Sequence, residues 1–510
     1  MKRRKPTDVS AHLLRRECIE HIALYVATPS TLFSLLHALP YDVLGPPLQS
    51  LLGLSRSIAP RTLWPRLILD HALTDDQIPL VRTASTLFPS VDLGGMWDLH
   101  VLQACLPPST ELHLRQAPDD MDLDVPLHQW YQDLAADYCI TRIRLCDYFG
   151  GFNVPGSFLT VLSRFRHLRH VHVLCMTALT AFEQDLLFTA LCVCPIDTFR
   201  LYQSPWELTD ASADHLMEWL ASPRARRLGL KHCSAPPARI PALLTALAAS
   251  PSLHELRLRY GTFGAAAVAS IAHVPPQLDV LVLDECQLTS ECMHPLVQLL
   301  TPAACNVSKL DLARNRIKDT GAAILAHALP TTMHLTSLNL AVADIGAVGG
   351  HALAAVLPRT CLETLRLGGN PMGDGAAAAI AAVLPHCARL KSLDMSKTSL
   401  TDEGTVALVS ALPDAPSMRS IDLSCNWMTY VGAQHVAGIV GRCRHLAYLS
   451  VGLNPIEERG VVVLVHALAA AADMCQDLTI NASIVMSEGE RRRCAALAVQ
   501  LHVASMVTLE

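Results

Sequence analysis

The sequence contains few residue patterns that could support catalysis or metal binding. It has no G-x-x-x-x-G-K-[ST] phosphate loop, no H-E-x-x-H zinc motif and no G-x-S-x-G nucleophile motif. The run from Gly368 to Gly375 is the most similar to a phosphate loop, but no lysine follows it. Asp120, Asp122 and Asp124 imitate the start of a calcium loop, although Val125 occupies the place of its glycine. We therefore predict a protein that is not an enzyme and that has no catalytic residues, no metal site and no cofactor.

Charge and hydropathy restrict the possible partners. The chain has 510 residues, of which 51% are apolar and 17% charged, and 40 basic and 46 acidic side chains give a formal net charge of -6. Such a balance does not favour nucleic acid or an anionic membrane as the partner.

No apolar run is long enough to cross a bilayer. The 17 scattered cysteines, without a recognisable signal peptide, predict the cytoplasm, and the basic run from Lys2 to Lys5 leaves the nucleus open.

Pairs of apolar residues two positions apart recur along most of the chain. Successive pairs are separated by 25 to 31 residues, from Leu112/Leu114 to Leu478/Ile480. A strand places alternate residues on one side, so each pair predicts a short strand with both apolar side chains buried. We call the members of these pairs the ladder positions.

An alanine-rich segment follows the ladder positions in six of the later repeats. These segments begin near Gly321, Gly349, Gly375, Gly404, Gly432 and Gly460. In the first of them Leu325 and Leu329 lie four residues apart, on one face of a helix, and Pro330 cannot continue the helix. Each repeat is therefore predicted to consist of a strand, a turn and a helix.

Asparagine recurs three residues after the second ladder position. The residues concerned are Asn315, Asn370, Asn426 and Asn454. A side-chain amide at this point can bond backbone groups of the turn that have no partner in the sheet, so we predict a structural role. The neighbouring repeats interrupt the row of amides with Cys286, Ala343 and Thr398.

Repeats of about 28 residues with L-x-x-L-x-L strands and Gly-x-x-x-Leu-Ala-x-x-Leu helices resemble the leucine-rich repeats of the ribonuclease-inhibitor type. The resemblance implies an α/β leucine-rich repeat horseshoe, a right-handed solenoid with a parallel concave sheet and convex helices. We predict these repeats over residues 109–510. Degenerate repeats are expected over residues 65–108, around Leu67/Leu69 and Val91/Leu93.

Residues 1–64 have a different pattern, which predicts three short helices, near residues 18–26, 32–39 and 48–54, followed by Trp64. Three helices closed by a tryptophan resemble an F-box, the adaptor-binding module of cullin-type ubiquitin ligases. The resemblance implies that an adaptor would contact Ile19, Ile22, Leu32 and Leu36. The alternative is an N-terminal cap that only covers the apolar end of the solenoid.

The concave face is the predicted partner-binding surface, because side chains between and beside the ladder positions point to solvent. The candidates are Arg144, His172, Arg200, Tyr202, Arg257, Arg259, Tyr260, Asp284, Asp311, Asn339, Arg366, Asp394, Asp422 and Tyr448. The basic candidates lie mostly on earlier strands and the acidic ones on later strands, which suits a dipolar protein partner. Tyr202, Tyr260 and Tyr448 are candidate amphipathic anchors.

These patterns predict a protein interaction scaffold that binds a protein on its concave face. A functional F-box-like module would make it the substrate receptor of a cullin-type ubiquitin ligase. The alternative function is activation of a small GTPase, because the Ran GTPase-activating protein has repeats of the same type. A GTP hydrolysis assay separates the two functions.

Overall fold

The computed structural model describes residues 16–116, 118, 123–146, 156–174, 179–261, 265, 268, 275–301, 305–472, 478–483 and 487–509. The chain divides into two compact units, residues 1–219 and 220–510. Parallel strands alternate with helices in both units, which confirms the predicted α/β leucine-rich-repeat fold. The basic run from Lys2 to Lys5 and the acidic residues Asp120 and Asp122 lie outside the described residues.

Helices open the first unit, as the apolar stripes predict. They are α1 (Arg16–Leu24), α2 (Pro29–Ala38), α3 (Pro46–Leu54) and α4 (Pro60–Leu63). Proline begins α2, α3 and α4, where its missing N–H would have had no partner within the helix. The indole nitrogen of Trp64 donates to the carbonyl oxygen of Val26 at 2.6 Å, which fixes the end of this helical segment against the end of α1.

The rest of the first unit alternates strands with helices. The strands are β1 (Leu67–Leu69), β2 (Ser90–Leu93), β3 (Glu111–Leu114), β4 (Cys139–Cys146), β5 (His170–Leu174) and β6 (Thr198–Glu207). The helices are α5 (Gln77–Ala84), α6 (Leu99–Cys105), α7 (Leu127–Asp137), α8 (Gly156–Val161), α9 (Ala181–Val193) and α10 (Asp210–Ala221). Consecutive strands from β1 to β6 pair in parallel.

The second unit continues the alternation. Its strands are β7 (Arg227–Ser234), β8 (Glu255–Arg259), β9 (Val280–Asp284), β10 (Lys309–Asp311), β11 (Ser337–Asn339), β12 (Thr364–Arg366), β13 (Ser392–Asp394), β14 (Ser420–Asp422), β15 (Tyr448–Ser450), β16 (Thr479–Asn481) and β17 (Val507–Thr508). Its helices are α11 (Ile240–Ala249), α12 (Met293–Leu300), α13 (Lys318–Ala328), α14 (Ala347–Val356), α15 (Gly373–Val383), α16 (Asp402–Ala411), α17 (Tyr430–Val440), α18 (Glu457–Ala471) and α19 (Glu488–Gln500). Consecutive strands pair in parallel from β7 to β17.

The predicted register of the ladder is correct for the central strands and wrong at both ends. Leu114 lies opposite Ile143, although the sequence pattern paired Leu112 with Ile143. Ile480 lies opposite Leu449, so the last ladder pair is Ile480 and Ala482. Both shifts occur where the spacing of the strands is irregular, and alternating buried residues then fit either register.

The buried asparagines link consecutive repeats. Asn370 Oδ1 accepts from the backbone N–H groups of Ala343 and Ile345 at 2.9 and 3.0 Å, and Nδ2 donates to the carbonyl groups of Leu340 and Leu367. Asn315 and Asn426 make the same contacts with the turns that contain Cys286 and Thr398. The predicted structural role is confirmed. The row of amides is interrupted in the sequence, but Asn315, Asn370 and Asn426 each also serve the preceding repeat, which lacks an asparagine of its own.

A row of aspartates caps helices in the neighbouring repeat. Asp402 Oδ1 accepts from the backbone N–H groups of Thr429 and Gly432 at 2.7 and 2.9 Å, at the start of α17. Asp319 and Asp374 cap α14 and α16 in the same way. A Cβ at Gly432 would lie 2.5 Å from Asp402 Oδ1, which explains the glycine there.

Candidate protein-binding surface

Side chains between the ladder positions form a surface in each unit that we call the strand face. Leu338 and Leu340 are buried at ladder positions, whereas Asn339 between them is half-buried and reaches solvent. This alternation is the expected one, and it leaves the candidate residues accessible on most strands. Asp284 is an exception, because its side chain is only 5% exposed.

Arg144, His172 and Arg200 lie side by side on β4, β5 and β6 of the first unit. Burial, and then the charges of Arg200 and Arg144, lower the pKa of His172 to about 4, so its ring is neutral at pH 7. The Tyr202 ring meets the His172 ring edge to face, with 5.1 Å between the centroids. The structure therefore brings these four predicted residues together.

Carboxylates are interleaved with the histidines of the first strand face. His113 Nδ1 lies 2.9 Å from Asp92 Oδ1, and His170 Nδ1 lies 3.1 Å from Asp197 Oδ1. The sequence led us to expect a basic surface here. The local pairs make it a mixed one, because His113 and His170 each meet an acidic partner from the neighbouring repeat.

The predicted site residues that end β10, β11, β13 and β14 have a local structural role that was not predicted from the sequence. Asp311, Asn339, Asp394 and Asp422 each end a strand, and Oδ1 of each accepts from the backbone N–H two residues later at 2.9 to 3.1 Å. Such contacts close a turn. These residues therefore stabilise the strand ends, with one carboxylate oxygen of each aspartate left for other contacts.

The strongest constellation lies at the ends of β7 to β10. We call it the Tyr260 cluster, and it consists of Lys231, His232, Arg259, Tyr260, Asp284 and Arg314. The Tyr260 ring contacts the His232 ring, with 4.7 Å between centroids, and the Lys231 ammonium lies over the Tyr260 ring at 4.8 Å from its centroid. Burial and the neighbouring Lys231 charge lower the pKa of His232, which favours the neutral ring in this stack.

Asp284 anchors the charged half of the cluster. Arg314 Nη1 donates to both carboxylate oxygens at 2.9 and 3.0 Å, and Arg259 Nε lies 3.8 Å from Oδ2. The hydrogen bond and the charge of Asp284 raise the pKa of Arg314 further above its ordinary value. The buried carboxylate thus fixes the Arg314 guanidinium and lies close to that of Arg259.

Arg314 is a site residue that was not predicted from the sequence. Arg314 has the same place in its repeat as His232, Tyr260 and Glu285, and all four have φ between 54° and 56°. This left-handed conformation turns the side chains toward the end of the strands. The shared repeat position is the signal that could have found Arg314.

The other candidates of the second unit lie elsewhere on its strand face. Arg257 pairs with Glu255 on β8 itself. Arg366 is exposed on β12, and Tyr448 is half-buried at the start of β15. Asn339, Asp394 and Asp422 lie on β11, β13 and β14, so these residues and the Tyr260 cluster do not form one compact site.

Three of the four predicted adaptor contacts are buried. Ile19 is 3% exposed, and Leu32 and Leu36 are 0% exposed, because the apolar stripes of α1 and α2 pack inside the helical segment. The prediction that these three side chains touch an adaptor is therefore wrong. Ile22 is 47% exposed, and the same helix and the residue after it expose Leu24 and Tyr25 by 49% and 88%.

The described residues contain no group of three or more histidine, cysteine, aspartate or glutamate side chains that could hold a metal ion. The described helices include none that is long and apolar enough to cross a membrane.

A family model of leucine-rich repeats matches residues 303–326, 332–354, 360–381, 386–409 and 415–437. The ribonuclease inhibitor of Sus scrofa is 27% identical over 309 residues, which are 59% of this chain and 60% of that protein. The ribonuclease inhibitor of Mus musculus is 31% identical over 153 residues, which are 29% of this chain and 33% of that protein. The NACHT, LRR and PYD domains-containing protein 3 of Macaca mulatta is 32% identical over 136 residues, which are 26% of this chain and 13% of that protein. Each of these matches spans less than two thirds of the relative's own length.

Two solved structures have weaker similarity. The complex of Rad7 and Elc1 from yeast gives a TM-score of 0.43 at 16% identity, covering 70% of this chain and 84% of that one. An internalin, inlF, from Listeria monocytogenes gives a TM-score of 0.35 at 17% identity, covering 64% and 82%. The repeat pattern, the parallel strands and the curated relatives agree. The chain has the fold of a leucine-rich-repeat solenoid, and its repeats are similar to those of the ribonuclease inhibitors.

Proposed function

We propose that this protein is a non-enzymatic scaffold that binds a protein partner on the strand face of its second unit, with the Tyr260 cluster at the centre of the contact. The observation that carries the proposal is the Tyr260 ring in contact with His232 and Lys231, close to Arg314, which Asp284 fixes, and to Arg259. Tyrosine and arginine are the residue types that dominate binding energy at protein interfaces.

Several side chains of the Tyr260 cluster are already held in place, which supports a protein partner. Lys231 and Tyr260 already contact each other, and Arg314 is already fixed on Asp284, so little side-chain freedom remains to be lost on binding. Side chains of both charges lie at the edge of the Tyr260 cluster, where Glu285 is exposed beside Arg314. A nucleic acid would meet Asp284 and Glu285 with its own negative charge, whereas a dipolar protein surface can match both signs.

A second part of the proposal concerns the first unit. We propose that α1 binds the adaptor of a cullin-type ubiquitin ligase, which would make the protein a substrate receptor. The exposed apolar side chains Ile22, Leu24 and Tyr25 support this, because they form a small apolar patch on and just after one helix.

Comparative affinity capture from a cell extract tests the scaffold role. The wild-type chain is compared with the double variant Tyr260→Ala/Arg314→Ala and with Arg389→Ala, an exposed arginine that is not on a strand. We expect the proteins held by the wild type to be held by Arg389→Ala and lost from the double variant. A double variant that melts like the wild type and still retains the same proteins would contradict the proposal.

Co-purification with a cullin-ligase adaptor tests the role of α1. Ile22→Asp with Tyr25→Asp should abolish the complex, and Tyr41→Asp, at a 58% exposed side chain outside α1, should leave it intact. Absence of any complex with the wild type would leave the helices with the capping role alone. That result would not affect the test of the Tyr260 cluster.

A further inference from the structure

A cavity of about 350 Å³ in the first unit lies outside the surfaces described so far. It is lined by α6 and α7 and by the residues just before each of these helices, and its apolar wall includes Trp97, Leu99, Leu123, Val125 and Trp130. The rings of Trp97 and Trp130 meet edge to face with 5.8 Å between their centroids, and the Trp130 indole N–H donates to the Trp97 carbonyl at 2.7 Å. Trp130 is buried, whereas Trp97 is only half-buried. The buried ring thus holds in place an aromatic ring that a ligand can reach.

Four carboxylates complete the lining of this cavity, and they belong to Asp98, Asp124, Asp133 and Asp137. Within the described part of the chain, none of the four forms an ion pair with a lysine, arginine or histidine. The lining residues include no lysine or arginine, and His100 is the basic residue among them. Negative charge therefore exceeds positive charge in the lining even when His100 is protonated.

The hydrogen bonds of these carboxylates come from neutral donors. Asp133 Oδ1 accepts from the amide of Gln129 at 2.7 Å, and Asp137 Oδ2 accepts from the amide of Gln103 at 2.8 Å. Asp98 accepts from two backbone N–H groups in the first turn of α6. Asp137 is also the last residue of α7, where the partial negative charge of the helix end adds to its own. These contacts fix the carboxylates without neutralising them.

The segment that precedes Leu123 supplies no cation to the cavity. Its sequence, from position 117 to position 122, contains Asp119, Asp120 and Asp122 and no basic residue. The described residues also contain no group of three or more acidic, histidine or cysteine side chains that could hold a metal ion. The carboxylates of the lining therefore suit an extended cationic ligand better than a single metal ion.

We propose that this cavity binds an arginine-rich segment of a partner protein. A guanidinium group donates two parallel hydrogen bonds to a carboxylate, and it stacks on the face of a tryptophan ring such as Trp97. Carboxylates that are spread around the cavity match several arginines of one segment, and the apolar wall can cover their aliphatic stems. That the arginines belong to a protein rests on the proposed scaffold role.

Fluorescence anisotropy with the full chain tests the proposal. The probe is a labelled degenerate peptide library with fixed arginines, compared with matched libraries that carry lysine or the neutral analogue citrulline at the same positions. Spermidine and Ca²⁺ are the competitors. We expect the arginine library to bind at least about tenfold more tightly than the citrulline library. Binding should also weaken as the salt concentration rises above about 0.15 M.

Variants identify the site. Asp124→Asn/Asp133→Asn should weaken binding of the arginine library by about tenfold, because two acceptors lose their charge. Asp42→Asn/Asp75→Asn, at two exposed aspartates that do not line the cavity, changes the net charge equally and should bind normally. Trp97→Leu should weaken binding by about threefold, and Trp97→Phe, which keeps an aromatic face, should recover most of that loss.

Equal binding of the arginine and citrulline libraries, or unchanged binding in Asp124→Asn/Asp133→Asn, would overturn the proposal. Equal binding of the lysine library would also contradict it, since an ammonium group lacks the paired donors of a guanidinium. Spermidine or Ca²⁺ that competes as tightly as the peptides would overturn it as well, because the ligand would then not be a protein. The Tyr260→Ala/Arg314→Ala variant should bind the arginine library normally, so the two proposals fail independently.

Discussion

Two strands of the first unit are longer than the later strands of the second. β4 and β6 have 8 and 10 residues, whereas each strand from β10 to β16 has 3. Around several of the short strands, asparagine side chains bond the backbone that follows the strand. The matching sequence positions of the first unit carry Tyr148, Met176 and Ser204. These side-chain contacts satisfy backbone polar groups that the short strands leave outside the ladder.

The largest loss of stability is expected when one buried asparagine amide is removed. Asn370→Ala leaves two N–H and two carbonyl groups in the interior without their partner, so we expect a loss of about 3 to 5 kcal/mol of unfolding free energy. Urea denaturation measures the loss, and hydrogen exchange at Ala343 and Ile345 should accelerate.

Asn306→Ala is the matched control for this variant. Asn306 is exposed and makes one contact, with the carbonyl oxygen of Pro276 at 2.8 Å, so its loss should be below about 1 kcal/mol. If the two asparagine variants were equally stable, the buried amides would not be needed to satisfy the backbone groups that follow the short strands.

The first unit should respond to acid through His172. Its pKa of about 4 lies below the unfolded value, so unfolding takes up a proton and stability falls as pH drops from about 6.5 to about 4. We expect the wild type to lose about 2 kcal/mol over this window, and His172→Gln should remove most of that dependence. Urea denaturation at pH 7 and pH 5 checks the sign, and a flat profile in the wild type would refute it.

The aspartate row predicts a smaller effect in the second unit. Asp402→Ala removes the acceptor for two N–H groups at the start of α17 and should cost about 1 to 2 kcal/mol. Glu403→Ala, at the residue after Asp402 in α16, removes an exposed side chain and should stay within about 0.5 kcal/mol of the wild type. Equal effects would show that the first-turn charge, rather than the cap, stabilises the neighbouring repeat.

The smallest effect is expected at Glu458, which takes the place of the capping aspartates in its repeat. It pairs instead with Arg493, whose Nε and Nη2 donate to it at 2.7 Å. This exposed pair lowers the pKa of Glu458 through the hydrogen bond from Arg493, but water and salt screen it. Glu458→Gln should leave the thermal midpoint unchanged at about 0.15 M salt, and a clear drop would mean that this residue still caps.

Much of the fold could be predicted from sequence because its signals are local and repeated. Alternating leucines give the strands, and Leu325, Leu329 and Pro330 mark a helix and its end. Register at the array ends could not be predicted, since Leu478, Ile480 and Ala482 are all buried and alternate without a break.

The site was less predictable for two physical reasons. Arg314 and Asp284 are 30 residues apart and meet only through the register of β9 and β10. The apolar stripe that marked Leu32 and Leu36 also cannot distinguish a binding surface from an interior, and here it faces inward.

Site-specific photo-crosslinking tests the central claim most directly. A photo-reactive phenylalanine analogue is placed at Tyr260 in one sample and at the exposed Arg389 in another, and both are irradiated in a cell extract. We predict that a discrete protein cross-links at Tyr260, that it is absent at Arg389, and that Arg314→Ala reduces it. The same cross-linked products at both positions, or none at Tyr260, would contradict a protein-binding role for the cluster.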